Sequence, residues 1–236
     1  MERKKSLFLS LLLCTAIAMA MLYTSYEAAA YGERFLGKGR VWRIVIDPGH
    51  GGTDPGKVGA NGIKESDINL EIAKKLERLF AAAGASVYLT RQEDASTYEN
   101  SKGFHKVKDM EARTALVKEK GADVLISIHQ NSYSDASVSG PQVFFYGQSA
   151  EGKKLAEIIQ SSIIERIKPA KERQIKAENS YYLLKEAEAV AVIVECGFLS
   201  NPEELKLLVR EEYQEQMAWA IYMGVMSYLQ GGGAMP

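Results

Sequence analysis

Three largely apolar runs in this chain each end on a polar side chain with chemistry to offer. Ile44-Val45-Ile46 runs into Asp47-Pro48-Gly49-His50-Gly51-Gly52. Val124-Leu125-Ile126-Ser127-Ile128 runs into His129-Gln130-Asn131, and Val190-Ala191-Val192-Ile193-Val194 runs into Glu195-Cys196-Gly197-Phe198. Short runs of this kind fit strands covered on both faces. Between them the apolar period changes. Ile68, Ile72, Leu76 and Leu79 recur every three or four residues and predict a helix. Ser66 is its expected N-cap, Asp67 lies in its first turn, and Gly84 ends it. The same reading predicts strands over 86–90 and 142–146 and helices over about 109–119, 150–167 and 212–229. A further helix starts at Pro202, capped by Asn201 with Glu204 reaching back. Strands alternating with helices predict a single α/β domain, with a mixed, largely parallel central sheet flanked by helices on both faces. In such a sheet the carboxyl ends of the strands share an edge where the ligand crevice lies. His50, His129 and Glu195 are therefore expected to gather there.

The two ends differ from this pattern. Arg3, Lys4 and Lys5 precede a nearly continuous apolar stretch, Leu7 to Leu22, and small residues follow at Ala18-Met19-Ala20 and Ala28-Ala29-Ala30. Residues 1–30 read as a signal peptide or an N-terminal membrane anchor, the stretch approaching the roughly 20 residues that span a bilayer. Export then places the protein outside the cytoplasm. Leu11-Leu12-Leu13 before Cys14 lack the small residue expected ahead of a lipidated cysteine. Residues 31–40 read as a linker, 41–230 as the folded domain, and 231–236, opening on Gly231-Gly232-Gly233, as a flexible tail.

Composition narrows the function. The 236 residues suffice for one domain with a substantial core. A formal net charge of −1 and the lack of a basic stripe interleaved with aromatics argue against nucleic acid as a partner. Once the first 30 residues are removed, Cys196 is the remaining cysteine, so no internal disulfide can form. With no histidine beside it in sequence, Cys196 reads as an apolar filler.

The strand ends suggest a metal. Catalytic zinc takes three protein ligands from His, Asp, Glu or Cys and keeps one open position. His50 and His129 offer two nitrogens. Glu65, at the mouth of the first helix, is the leading third ligand, with Asp47, Asp54 and Asp67 in competition. His105, among Lys102, Lys106 and Lys108, reads as solvated. The glycine loop 47–52 lacks the lysine and hydroxyl residue that complete a phosphate-binding loop. Its glycines suit a sharp turn and a close backbone approach.

Four segments carry a family resemblance: 44–52, Lys64-Glu65-Ser66-Asp67-Ile68-Asn69-Leu70, Ser127-Ile128-His129-Gln130-Asn131 and Val194 to Glu204. In this order and spacing they resemble the zinc-dependent N-acetylmuramoyl-L-alanine amidases of the type-3 amidase family, over about residues 43–229. The resemblance implies that residues 41–230 are an amidase catalytic domain. It implies His50, Glu65 and His129 as ligands of Zn2+, Glu195 as the catalytic carboxylate, and Asn131 as a residue that shapes the site. It implies peptidoglycan as substrate. Gln130 and Cys196 depart from the family's usual residues. The compact form, an export segment followed directly by the amidase, is similar to the sporulation and germination branch. That branch implies work on the spore cortex toward muramic-δ-lactam, and an accessory lipoprotein as activator. Two other readings compete. One is a zinc carboxypeptidase on wall stem peptides, which needs a cation for a terminal carboxylate; Arg91 and Arg113 are the unassigned candidates. The other is a non-catalytic wall-binding protein on the same fold. The polar stretch 91–108, with Arg91, Lys102, Lys106 and Lys108, reads as a solvated loop rather than a groove border.

Overall fold

Strands that are apolar on both faces need cover on both. A computed structural model, described over residues 40–100 and 103–231 together with Thr15, supplies that cover with six α-helices among the described residues. In chain order the elements are β1 (Arg43–Pro48), α1 (Glu65–Ala82), β2 (Ser86–Leu89), β3 (Glu99–Asn100), β4 (Gly103–Phe104) and α2 (Lys106–Lys120). Then follow β5 (Val124–Asn131), β6 (Gln142–Phe145), α3 (Ala150–Ile167), β7 (Lys176–Ala177), α4 (Tyr182–Glu186), β8 (Val190–Phe198), α5 (Pro202–Leu208) and α6 (Glu211–Leu229). The sheet has the order β2-β1-β5-β8-β6-β7, and β3 pairs with β4 separately. β2, β1, β5 and β8 are parallel neighbours, β6 runs antiparallel to β8, and β7 is parallel to β6. The sheet is thus mixed and largely parallel, as expected.

The side-chain alternation assigns the helices to faces. Val45, Leu125, Phe144, Ala191 and Ile193 form one cluster with Val117 of α2 and Leu183 and Leu184 of α4. The intervening residues Ile44, Ile46, Val124, Ile126, Val192 and Val194, all buried, serve the other face. α1 and α3 pack on the sheet, and α6 packs on both of them. Asp47, Ser127, His129 and Glu195 continue the odd-numbered pattern and so belong to the α2 and α4 side. His129 and Glu195 are register partners across β5 and β8. A register shift follows between His129 and Asn131, where the bulge redirects the strand ends.

Three local expectations are corrected. Ser66 does not cap α1: the helix begins at Glu65, Lys64 is its N-cap, and no side chain caps it. The loop supplies the acceptors instead, Lys57 O for Glu65 N (2.9 Å) and Pro55 O for Ser66 N (3.1 Å). α2 starts at Lys106 rather than 109, with the exposed His105 accepting from Lys108 N. Asn201 caps α5 as expected, but Glu204 does not reach back to it. Asn201 N already donates to Phe198 O (3.0 Å), so the Glu204 carboxylate accepts from Phe198 N and Gly140 N, both at 2.8 Å. The export segment apart from Thr15, the linker apart from Arg40, and the tail beyond Gly231 lie outside the described residues. No described helix is long and apolar enough to cross a membrane.

The α3–α6 contact is close enough to exclude a methyl group. A Cβ at Gly224 would lie 2.7 Å from Ile159 Cα. Alanine gains up to about 1 kcal/mol of helix propensity over glycine, whereas overpacking of a tight core costs about 1–3 kcal/mol. Because the Ile159 Cα is backbone and cannot swing aside, the steric term should prevail. Gly224→Ala is expected to lower the melting temperature by a few degrees, read by circular dichroism.

Candidate metal centre

The β1 strand ends in a turn that no ordinary backbone conformation makes. His50 has φ 63°, Gly51 φ 127° and Gly52 φ 60°. The left-handed His50 brings its ring over the end of β5, where the His50 and His129 ring centroids are 5.0 Å apart at 78°. Gly49 permits this approach, because a Cβ there would enter the His129 ring. Gly49 N donates to Ile128 O (3.0 Å), which ties the loop to the strand just before His129.

Glu65 enters from α1 and lies between the two imidazoles. Its Oε1 is 2.9 Å from His129 Nδ1 and 3.3 Å from His50 Nε2. Gln130 N donates to the same oxygen (3.1 Å), and Lys57 N donates to Oε2 (2.9 Å). The group is 2% exposed. Burial opposes its charge, but the His129 and His50 contacts overcome that and hold the carboxyl well below the usual range. Burial likewise opposes charge on His50, yet hydrogen bonds to Glu65 and to Asp54 (Nδ1 to Oδ2, 2.8 Å) raise it to about 9. One donor atom from each of His50, Glu65 and His129 lies within 4.8 Å of the others.

The three competing aspartates are doing other things. Asp54 holds the far nitrogen of His50. Asp67 is exposed on α1. Asp47 is buried and accepts from Arg113 Nη1 (2.5 Å), Ser127 Oγ (2.6 Å) and Thr90 Oγ1 (2.6 Å). Glu195 has the opposite environment to Glu65. It is 8% exposed, its Oε2 has no hydrogen-bond partner, and burial pushes it up to about 7. His50, Glu65, His129 and Glu195 border one cavity of about 540 Å³. Asn131 lines it too, with its Oδ1 accepting from Ser132 N (2.8 Å).

Some of the site was not anticipated. Asn69, one turn along α1, donates from Nδ2 to Gly49 O (3.0 Å) and accepts from Gln130 Nε2 (3.1 Å), so the unusual Gln130 braces the helix against β5. Tyr181, Tyr182 and Leu183 of the α4 region form a wall of the cavity, and Lys106 and Met110 of α2 extend it. The Tyr181-Tyr182-Leu183-Leu184 run was the available signal. Lys106 thus borders the cavity, contrary to the solvated-loop reading of 91–108, and Arg91 is buried. Lys102 lies outside the described residues. Arg91 and Arg113 do not offer a cation to a substrate carboxylate. Arg113 is 1% exposed and pairs with Asp47 and Asp109, while the Arg91 guanidinium is spent on carbonyl oxygens. Cys196 is buried and free, and burial pushes its thiol up, which fits a filler and not a nucleophile.

Comparison with known proteins bears on the family. The family model described as N-acetylmuramoyl-L-alanine amidase matches residues 44–227. The germination-specific N-acetylmuramoyl-L-alanine amidase of Bacillus subtilis (strain 168) is 36% identical over 196 residues, 82% of each chain. The CwlD amidase from Clostridioides difficile, solved in complex with the GerS lipoprotein, superposes with TM-score 0.76 at 36% identity, covering 80% of this chain and 98% of that one. The amidase AmiC2 of Nostoc punctiforme gives TM-score 0.71 at 32% identity, over 80% of this chain and 97% of its own.

The charges beneath the loop predict an acid limit. Burial would raise the Asp47 carboxyl, but Arg113, Ser127 and Thr90 together lower it from 3.8 to about 2. A folded-state value below the unfolded one contributes stability above about pH 4 and loses it as pH falls toward 2. The contribution at neutral pH is about 2–3 kcal/mol. Asp47→Asn should flatten the decline in stability between pH 4 and pH 2. It should also lower stability at pH 7 by about 3–5 kcal/mol, because Arg113 loses a buried partner. Urea unfolding across this pH range checks both.

Proposed function

The chain belongs to the N-acetylmuramoyl-L-alanine amidase family, and on that premise we propose that it is a zinc-dependent hydrolase of peptidoglycan. The bond cleaved is the amide joining the lactyl group of N-acetylmuramic acid to L-alanine. One observation carries the reading: His50, Glu65 and His129 converge, and Glu195, in register with His129, keeps a buried oxygen without a partner.

The donor set fits zinc. Two imidazoles and one carboxylate match the three protein ligands of catalytic zinc sites. Asp54 on His50 Nδ1 matches the carboxylate that orients a ligating imidazole. The proton that these carboxylates hold on His50 is the charge a divalent cation would displace. When bound, zinc supplies Lewis-acid chemistry, acidifying water and polarising the amide carbonyl. Glu65 and His129 hold their positions through Gln130 N, Lys57 N and the β5 backbone, so little reorganisation is needed. Glu195 handles the proton. As a carboxylate it accepts one from the attacking water, and as an acid it passes that proton to the departing alanine nitrogen. Burial that brings its pKa to about 7 suits both halves of the cycle. The exposed Tyr181 and Tyr182 line the approach to the cavity.

The finer assignment follows the relatives. Similarity to a germination-specific amidase supports the spore cortex as the wall acted on, toward muramic-lactam formation. Similarity to an amidase solved with a lipoprotein supports an accessory lipoprotein as partner. The N-terminal segment would export the domain to the wall or to the space between the forespore membranes, and would anchor it if uncleaved.

Incubation with defined muropeptides, followed by mass spectrometry, should release intact stem peptides beginning at L-alanine. Trimming at the peptide's carboxyl end would indicate a carboxypeptidase, and wall binding without release a non-catalytic protein. Glu195→Gln should retain zinc while losing about 10²–10⁴ in rate, the usual worth of a positioned proton carrier. His129→Ala should instead lose zinc, read by metal analysis. Full zinc content in that variant would remove His129 from the ligand set.

A further inference from the structure

We propose that Arg91 is the positioning residue that sets His50 against Glu65, by tying the loop that carries one to the helix that carries the other. The inference rests on the metal reading above.

All the hydrogen bonds from the Arg91 guanidinium go to carbonyl oxygens. Nε donates to Pro48 O (2.9 Å), Nη2 to Gly49 O (3.1 Å) and to Ser66 O (2.8 Å), and Nη1 to Glu93 O (3.0 Å). Pro48 and Gly49 immediately precede His50, and Ser66 follows Glu65. One planar group therefore spans the two ligand-bearing segments. The loop is folded over the side chain: a Cβ at Gly51 would lie 2.7 Å from Arg91 Cδ and Nε. Gly49 is the junction. Its N–H reaches the strand before His129, and its oxygen accepts from Arg91 and Asn69.

The turn needs such support. A non-glycine residue held at φ 63° is strained by its Cβ, and persists only where its surroundings impose it. Arg113 contributes from the other side, donating to Pro48 O (3.2 Å) and His50 O (3.0 Å). The carbonyls of residues 48, 49 and 50 thus each accept from a guanidinium. The two arginines differ in what else they do. Arg113 neutralises two buried aspartates, so its removal disturbs charge balance throughout. Arg91 hydrogen-bonds to carbonyls and to no carboxylate, and it feels the charge of Arg113 together with those of Asp47, Asp94 and Asp67. Its replacement therefore breaks no side-chain ion pair, and comparing Arg91→Lys, which keeps the charge, with Arg91→Gln, which removes it, separates positioning from charge.

The test uses metal-free wild-type protein, Arg91→Lys and Arg91→Gln. Zinc affinity is measured by chelator competition, and thermal melts are recorded without metal. Lysine keeps the charge, but one nitrogen cannot span the Pro48, Gly49 and Ser66 carbonyls. Glutamine relieves the repulsion from Arg113. The expected result is folded variants whose zinc dissociation constant rises about 10–100-fold, as for other groups that orient metal ligands. In zinc-limited assays kcat for muropeptide should fall while KM stays. Folded variants that bind zinc as tightly as wild type would overturn the role of Arg91 and leave the metal reading standing. Lower melting temperatures with an unchanged zinc constant, or loss of the fold in both variants, would assign Arg91 a structural role and overturn the proposal. Failure of wild type to bind zinc would remove the metal reading and this inference together.

Discussion

A single buried carboxylate, Glu65, must find compensation for its charge at the end of a sheet, and the site is organised around how it does so. Its donors come from three separate stretches of chain: Lys57 N and the His50 ring from the glycine loop and its continuation, His129 and Gln130 N from β5, with Asn69 behind it on α1. Leaving such a group unpaired would cost several kcal/mol. Any packing of β1, α1 and β5 that failed to bring these donors together would carry that penalty. The polar contacts that make a metal centre possible are thus also contacts that fix how the first helix meets the sheet.

The two faces of the sheet divide the work. One is sealed by α1 and α3 with α6 packed over both, an arrangement close enough that Gly224 has no room for a side chain. The other carries α2 and the five-residue α4. Strand alternation assigns Asp47, His129 and Glu195 to this second side. The cavity is walled on this side by Tyr182 and Leu183 of α4 and by Lys106 and Met110 of α2. The proposed site lies on this face, where Asp47, His129 and Glu195 follow the apolar residues of their strands.

What was legible in the sequence follows from this. His50, His129 and Glu195 are visible because each terminates an apolar run, and parallel strands deliver such residues to one edge. Glu65 is visible through its position at a helix mouth, although three aspartates were comparable until their surroundings were known. Other readings failed for one shared reason. Ser66 as a cap, Glu204 as the reaching arm of a capping box, and Arg91 and Arg113 as candidate cations for a substrate all assumed that side chains were the partners to count. Backbone groups from elsewhere took much of the place: Lys57 O and Pro55 O at α1, Phe198 N and Gly140 N at Glu204, the Pro48 and Gly49 carbonyls at Arg91, and the Pro48 and His50 carbonyls at Arg113, which also pairs with Asp47 and Asp109. Backbone donors and acceptors exist at nearly every position and carry no residue-specific label. Only the fold reveals which of them are left for a side chain.

The two buried glutamates of the cavity show how environment separates roles that composition leaves identical. Both are under a tenth exposed, and burial alone would push both toward the neutral form. Glu65 accepts from two ring nitrogens and two backbone amides, which hold its carboxyl well below the usual range, as suits the proposed metal-holding carboxylate. Glu195 has an oxygen with no donor at all, so its proton is held near neutrality and can be both taken and released. On the proposed reading, supplying Glu195 with the donors that surround Glu65 would hold it ionised and disable it as a proton carrier. The unsatisfied oxygen is therefore better understood as a cost retained for chemistry than as a packing defect.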